Sequence, residues 1–275
     1  MPDPLLTLAG LGAAAAAWGF AIEPRLLRLR RVAVRSPQWP AGWPALRIGV
    51  LSDLHASRPH VTRPRIAALV ARLLAERPDL VLLPGDFVCT RTPGQRPLPM
   101  REVAEALAPL AATRVVATLG NHDHEHGARE VMAELGRAGI EVLYNAATTV
   151  DVAGGTLQLA GIPCDAWSRF DSQRALRRTD PSRPLLVLSH MPDPFPLLPA
   201  QAQLTVAGHT HGGQVAIPGL PPPVTCSRLP RRQARGLHRS GDRFLYVSAG
   251  IGMSGLPVRF GVPPEIAVLT LSGGP

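Results

Sequence analysis

Cysteine is scarce. Cys89, Cys164 and Cys226 are the only three in 275 residues, far apart and odd in number. They show no zinc-ligand spacing and cannot all pair, which argues against a disulfide framework and against a thiolate metal site. Aromatic residues make up only 4% and are scattered. A nucleic-acid binder would cluster them with basic residues for stacking, so specific nucleic acid is not an expected partner. Lysine is missing altogether: all 29 basic residues are arginine, against 20 acidic ones, for a formal charge of +9. That charge suits phosphate esters or an anionic membrane surface, with a solvated basic face as the plain alternative. There is no internal repeat and no linker after residue 45. The 30 prolines and 26 glycines are spread along the chain rather than gathered into one disordered tract. A chain of this length can bury a full core, as a large domain with an appendage.

The appendage is the N-terminus. Residues 5–22 are 18 positions without a charge, Ala- and Gly-rich, near the lower limit for a membrane span. A helix packed against the domain is the alternative. A cleaved signal peptide fits poorly, because residues 1–4 carry Asp3 and no basic residue. Arg25, Arg28, Arg30, Arg31 and Arg35 follow the apolar run. They would keep the downstream part on the cytoplasmic side of a bacterial inner membrane and would suit anionic head groups. The expected division is an anchor over 1–31 and a catalytic domain over 32–275.

Along that domain, short apolar runs alternate with helical spacing. Strands are predicted at 32–34, 46–51, 79–83, 115–119 and 141–144. Helices are predicted at 62–76 (capped by Thr62), 101–110 and 128–138. The second half is richer in strands: 148–152 and 156–161 as a hairpin around Gly154-Gly155, then 185–188, 204–207, a return at 214–217, 244–248 and 266–271. An Arg-rich insert, 168–178, reads as helical. The pattern is α/β with a parallel-type sheet, and the strand count suggests two packed sheets with helices outside.

Five of these strands end in chemistry-bearing residues: Asp53/His55, Asp86, Asn121/His122/Asp123, His190 and His209/His211. Each alone has a dull explanation. Asp86 could serve a turn, Asn121-His122-Asp123 a helix cap, and His190 could be a satisfied core histidine. Five in order, each after an apolar strand, are more telling, since loops at strand carboxyl ends are where such folds assemble sites. Carboxylate, amide oxygen and imidazole without thiolate suit Mn, Fe or Zn. Seven ligands with one shared carboxylate suit two ions about 4 Å apart, which clamp the oxygens of an in-line displacement at phosphorus.

This set resembles the calcineurin-like metallophosphoesterases, on Asp53-Leu54-His55, Gly85-Asp86, Gly120-Asn121-His122-Asp123, His190 and Gly208-His209-Thr210-His211. It is most similar to the membrane-linked bacterial branch, on Gly208 through Gln214, Ser189 through Asp193, and the tail from Gly250 to Ile266. Pro84 and Met191 depart from that branch without removing a ligand.

The resemblance implies a four-layer αββα sandwich (α/β, α+β), here with an N-terminal apolar helix. It implies two divalent metal ions, Mn favoured over Fe or Zn. Asp53, His55 and His211 would hold one, Asn121, His190 and His209 the other, with Asp86 bridging. A hydroxide on the metals would attack phosphorus, His122 would protonate the leaving oxygen, and Asp123 would orient the His122 ring. The implied activity is metal-dependent hydrolysis of a phosphoric ester or pyrophosphate. The substrate would be lipid-linked, such as UDP-2,3-diacylglucosamine in lipid A biosynthesis. A broad phosphodiesterase or phosphomonoesterase is the alternative, and a metal-free scaffold of the same fold is the non-enzymatic one. His124 and His126 read as a solvated loop or a substrate wall. Arg169, Arg174, Arg177 and Arg178 read as a surface helix face or a phosphate contact.

Overall fold

The structure is a computed structural model and describes residues 3–164, 170–217 and 219–274. The chain opens with helix α1 (Pro4–Ala17), a π turn (Trp18–Ile22) and a 3-10 turn (Glu23–Arg25). Then come β1 (Arg28–Ser36), β2 (Leu46–Val50), β3 (Ser57–Arg58), α2 (Arg63–Leu74), β4 (Leu80–Leu83) and β5 (Arg96–Pro97). They are followed by α3 (Met100–Leu107), β6 (Arg114–Ala117), α4 (Asn121–Arg137), β7 (Glu141–Val142), β8 (Ala146–Val152) and β9 (Gly155–Ile162). Last are α5 (Ser172–Leu176), β10 (Leu185–Ser189), β11 (Ala202–Ala207), β12 (Gly236–Ser240), β13 (Arg243–Val247) and β14 (Glu265–Gly273).

Two six-stranded mixed sheets result, in the orders β1-β14-β2-β4-β6-β7 and β12-β13-β11-β10-β9-β8. The central strands are parallel: β2 with β4, β4 with β6, β9 with β10, β10 with β11 and β11 with β13. Buried on both faces, they read as unbroken apolar runs such as Leu80-Val81-Leu82-Leu83, all four buried. The sheets meet through Ile48, Leu82 and Val116 on one side and Leu159, Leu188 and Val206 on the other. The outer face of the first sheet is covered by α2, α3 and α4. In α2, Ile66, Leu69, Val70 and Leu73 supply the buried stripe. The second sheet's outer cover is thinner: Ala175 of the five-residue α5 and the turn through Phe195 and Leu198.

Several boundaries differ from expectation. The predicted return strand at 214–217 is absent; a 3-10 turn at His211–Gly213 leads instead to a single bridge between Val215 and Phe260. The helix expected at 128–138 does begin after Gly127 (φ 133°), where α4 is kinked, and a separate short helical piece before the kink opens on the Asn-His-Asp motif. Thr62 sits at the start of α2, but its side chain makes no capping bond. β1 begins at Arg28, inside the expected anchor, because it pairs in full register with β14. Of the Arg-rich insert, residues 168 and 169 lie outside the described residues, and the helix is confined to α5.

The N-terminal helix is short. Its 14 residues reach about 21 Å at 1.5 Å per residue, less than a bilayer core of about 30 Å. Among the described residues, no helix is long and apolar enough to cross a membrane. A π turn over Trp18–Ile22 follows α1 and ends at Glu23, whose buried carboxylate accepts hydrogen bonds from the Trp18 indole N–H (2.6 Å) and the Gly261 backbone N–H (2.9 Å).

Candidate metal centre

All nine residues singled out in the sequence lie on loops or a helix start that follow β2, β4, β6, β10 and β11. Both sheets therefore point their carboxyl ends at one place. None of the nine side chains belongs to a residue more than 7% exposed. Five of the seven expected ligands adopt left-handed backbone: Asp53 (φ 50°), His55 (41°), Asp86 (56°), His209 (69°) and His211 (50°). Such residues cost free energy, about 1–3 kcal/mol each in unfavourable cases, and persist only where the surroundings over-determine them. Here the over-determination is backbone hydrogen bonding between loops. The Asp53 N–H donates to Gly85 O at 3.0 Å, His55 N–H to Asp86 O at 3.0 Å, and Gly252 N–H to Asp53 O at 2.7 Å. Gly208 is obligatory beside them, since a Cβ there would run into Ser52 Oγ and the Asp53 carboxylate.

Asp86 Oδ2 is 3.4 Å from His55 Nε2 and 3.4 Å from His190 Nε2, so it lies between two clusters. On one side His55 Nε2 faces His211 Nε2 at 3.0 Å, with Asp53 Oδ1 3.8 Å from the latter. On the other, His190 Nε2 lies 3.2 Å from Asn121 Oδ1 and 3.1 Å from His209 Nδ1. Asp53/His55/His211 and Asp86/His190/His209 each converge within 4.8 Å, as does a third grouping, His55/Asp86/His122.

The second cluster tests whether these residues fit a cation. The far nitrogen of His190, Nδ1, lies 2.9 Å from Pro84 O, and that of His209, Nε2, lies 3.1 Å from Cys226 O. A carbonyl only accepts, so each far nitrogen carries the hydrogen and each near nitrogen presents a lone pair. Those lone pairs point at each other, at the Asn121 amide oxygen and at the Asp86 carboxylate. Four acceptors with no donor among them repel unless a cation, or an added proton, sits at their centre. The donor set fits a divalent metal, and carbonyl-anchored imidazoles are how such ligands are held.

Electrostatics agree. Burial works to raise the Asp86 pKa, but the His190 and His55 rings outweigh it and hold the carboxyl well below the usual range. Burial works to lower His190, yet Asp86 outweighs it and raises the imidazole to about 9. His209 is lowered to about 3 by burial and by the neighbouring His190 charge. Burial, His55 and the Arg259 guanidinium push His211 well below its ordinary value.

His122 and Asp123 behave differently from expectation. Asp123 does not hold the His122 ring: its Oδ2 accepts from the backbone N–H of Asp86 (2.8 Å) and Gly120 (2.9 Å), and its Oδ1 from Phe87 (2.8 Å). Three backbone donors engage both oxygens, capping the Gly120 N–H at the start of α4 and clamping that start to the Asp86 loop. Burial and the nearby Asp86 charge still raise its carboxyl to about 7. The His122 ring is held by Thr90 Oγ1 against Nδ1 and by Ser254 Oγ 3.1 Å from Nε2. Thr90 donates its one proton to Glu125 Oε2 at 2.7 Å, so it accepts from His122 Nδ1–H and Nε2 is the bare nitrogen. Burial lowers the His122 pKa to about 4.

Thr90, Glu125, Ser254 and Arg259 are thus site residues without an assigned role in the sequence reading. Arg259 is fully buried; it donates to the carbonyls of Gly252, Val262 and Ala249 and places Nη2 3.4 Å from His211 Nδ1. No local pattern announces these contacts, although Arg259 lay in the tail quoted above. Pro84, the departure before Asp86, contributes a backbone carbonyl, which any residue could supply. His126 reaches Glu130 (3.7 Å) along α4 and His124 packs on Tyr144 (5.6 Å between rings), both away from the ligands. A cavity of about 350 Å³ opens onto Asp86, Asn121, His122, His209 and His211, with Val215, Val224, Leu256 and Val258 on its apolar wall.

Comparison with known proteins agrees with this geometry. Residues 46–213 match the Calcineurin-like phosphoesterase family. The chain is 28% identical over 273 residues to the uncharacterized metallophosphoesterase YkuE of Bacillus subtilis, covering 96% of this chain and 92% of that one. It is 32% identical over 230 residues to the phosphodiesterase YaeI of Escherichia coli, covering 82% of each. It is 26% identical to the UDP-2,3-diacylglucosamine pyrophosphatase LpxG of Chlamydia trachomatis, covering 92% and 91%. Among solved structures, the calcineurin-like phosphoesterase YfkN of Bacillus subtilis superposes with a TM-score of 0.50 at 11% identity, covering 76% of this chain and 82% of that one. The NAD nucleotidase of Haemophilus influenzae gives 0.50 at 14% identity, covering 75% of this chain and about half, 51%, of its own. The chain belongs to the calcineurin-like phosphoesterase family and is a metal-dependent phosphoester hydrolase.

Proposed function

We propose that the chain hydrolyses a P–O bond of a lipid-linked phosphoester or pyrophosphate with two divalent cations, manganese favoured. Asp53, His55 and His211 hold one, Asn121, His190 and His209 the other, and Asp86 serves both. When bound, such ions supply Lewis-acid stabilisation of charge on a phosphoryl group. The convergence of lone pairs at His190 and His209 carries this reading.

The chain's own residues do the rest. His122 Nε2 is bare and faces the cavity; it takes up a proton beside an incoming anionic phosphoester and gives it to the leaving oxygen. Thr90 and Ser254 fix the ring that makes this transfer. Asp123 is a positioning residue, because the N–H groups it accepts from belong to Asp86, Phe87 and Gly120. The apolar wall of the cavity supports a lipid-linked substrate, of the kind the LpxG name states. The likeness to YaeI supports a broader phosphodiesterase as the second reading. The domain boundary near residue 31 and a position on the cytoplasmic side of an inner membrane belong to the same proposal, supported by the arginines after the apolar run.

The test is turnover of bis-p-nitrophenyl phosphate by chelator-stripped protein resupplied with Mn²⁺, Fe²⁺ or Zn²⁺, with UDP-diacylglucosamine and phosphomonoesters as rival substrates. Asp86→Ala is expected to lose both metals and at least about a thousandfold in rate, several kcal/mol of transition-state stabilisation. Metal content and rate unchanged in that variant would sink the assignment.

A further inference from the structure

The wall of the metal cavity continues into an exposed apolar shelf, and α1 leaves the domain from the back of that wall. Val258 lines the cavity and packs against Gly19, where a Cβ would come 3.1 Å from its methyl group. The Arg259 N–H donates to Gly19 O (2.9 Å), and on the other side the Ala216 N–H donates to Phe260 O (2.8 Å). The turn at 18–22, the segment 258–260 and the segment 214–217 thus lie side by side. Beyond them the loop carries Ile217 and Leu220, each 62% exposed, with Val224 and Leu256 at 63% and 60% on the cavity rim. Trp18, Phe20 and Ile22 are exposed at the opposite edge, and Leu5, Leu8 and Leu11 stand free in water along α1.

Charge flanks this strip on both sides. Arg25 and Arg28 follow the N-terminal turns, and Arg228, Arg231 and Arg232 follow the 217–224 loop, all exposed. Among the described residues none of these five has an ion pair with a carboxylate. Apolar side chains bordered by unpaired arginines match the depth profile of an anionic lipid surface, acyl region then phosphate. Among the described residues no helix is long and apolar enough to cross, while α1 is long enough to lie in one leaflet.

We propose that this face docks on an anionic bilayer, with α1 lying in one leaflet and the Ile217/Leu220 loop resting on the same surface. The mouth of the metal cavity then opens at head-group depth. The proposal takes from the hydrolase reading only the position of that mouth, and it predicts binding with or without metal.

The experiment is co-sedimentation of the full chain with phosphatidylcholine vesicles with and without phosphatidylglycerol, at low and high salt. Wild type is expected to bind the anionic vesicles and to weaken at high salt. Leu8→Ser/Leu11→Ser and Ile217→Ser/Leu220→Ser should each lower partitioning by at least about tenfold, as loss of two inserted aliphatic side chains requires. Both variants should keep metal content and turnover of the water-soluble bis-p-nitrophenyl phosphate, which separates this idea from the catalytic one. Wild type that ignores anionic vesicles would overturn the proposal. So would an Ile217→Ser/Leu220→Ser variant that binds like wild type, since α1 alone would then be the anchor. Loss of a dimer on sedimentation of that variant, without change in lipid binding, would assign the face to a second copy instead.

Discussion

Asp53, His55 and His211, on one side of Asp86, all sit at positive φ, whereas on the other side only His209 does. Asn121 there rides on the first turn of α4, and His190 follows the end of β10. The first half is shaped by backbone that the inter-loop hydrogen bonds force into place. The second is shaped by proton placement, through the Pro84 and Cys226 carbonyls. Charge differs too: the first half has its own carboxylate, Asp53, and the buried Arg259 behind His211, while the second has no carboxylate besides the shared Asp86. The lesson is that two clusters lining one cavity can be held in place for different physical reasons, and they should respond to different perturbations.

Removing one imidazole from each half has the largest expected effect. His211→Ala and His209→Ala are each expected to retain one metal equivalent of the two and to lose at least about a hundredfold in turnover, because a clamp with one jaw no longer stabilises both oxygens. Metal analysis of dialysed protein checks the count. If either variant binds both ions, or loses both, the halves are not the independent units described here.

Proton placement gives the second test. His190 is raised to about 9 in the metal-free protein, so at pH 7 a cation entering that half displaces a proton. Uptake should release close to one proton at pH 7 and weaken about tenfold for each unit of further acidification. The first half has no matching cost, because His211 is pushed well below its ordinary value and is already neutral. Calorimetry in buffers of different ionisation enthalpy reads the proton count. In metal-free protein the sign is opposite. A raised imidazole pKa adds stability that is full below about 6.5 and is lost as pH rises through about 9, so melting temperature should fall across that window. Metal uptake without proton release at pH 7 would contradict the tautomers inferred for His190 and His209.

The residues that converge on the cavity were legible in the sequence, and the contacts that hold them there were not. Each follows a short apolar run of the kind a buried strand shows, so Asp53, Asp86, Asn121 and His209 marked both a strand and its end. The failed return strand at 214–217 shows the limit of that logic: Gly212 and Gly213 at positive φ turn the chain away, and Gln214 is drawn to Ser254 and Leu256 instead. Asp123 shows another. Its place three residues after Gly120 fits both a helix cap and a partner for His122, and three buried backbone donors decide for the cap. Contacts such as Ser254 to His122 span 132 positions and leave no periodicity to read.

The smallest expected effects concern His122 and Asp123. The His122 ring is oriented by a hydroxyl that must accept, because Thr90 spends its proton on Glu125, itself held by Arg91 at 2.9 Å. Thr90→Val keeps the shape and removes the acceptor, leaving the Nδ1–H only the more distant Glu125 carboxylate at 3.4 Å, a loss of about 1–2 kcal/mol. Turnover should fall by about tenfold with KM and metal content little changed, and Thr90→Ser should restore most of it. Glu125→Gln still accepts from Thr90 through its amide oxygen and should cost only about two- to threefold. Asp123→Asn should behave otherwise: it swaps an acceptor for a donor against backbone N–H groups, so it should lower melting temperature and metal content together. If Asp123→Asn instead reproduced the Thr90→Val signature, with stability and metal intact, the ring would be under the control of Asp123 after all, and the second set of contacts would be incidental.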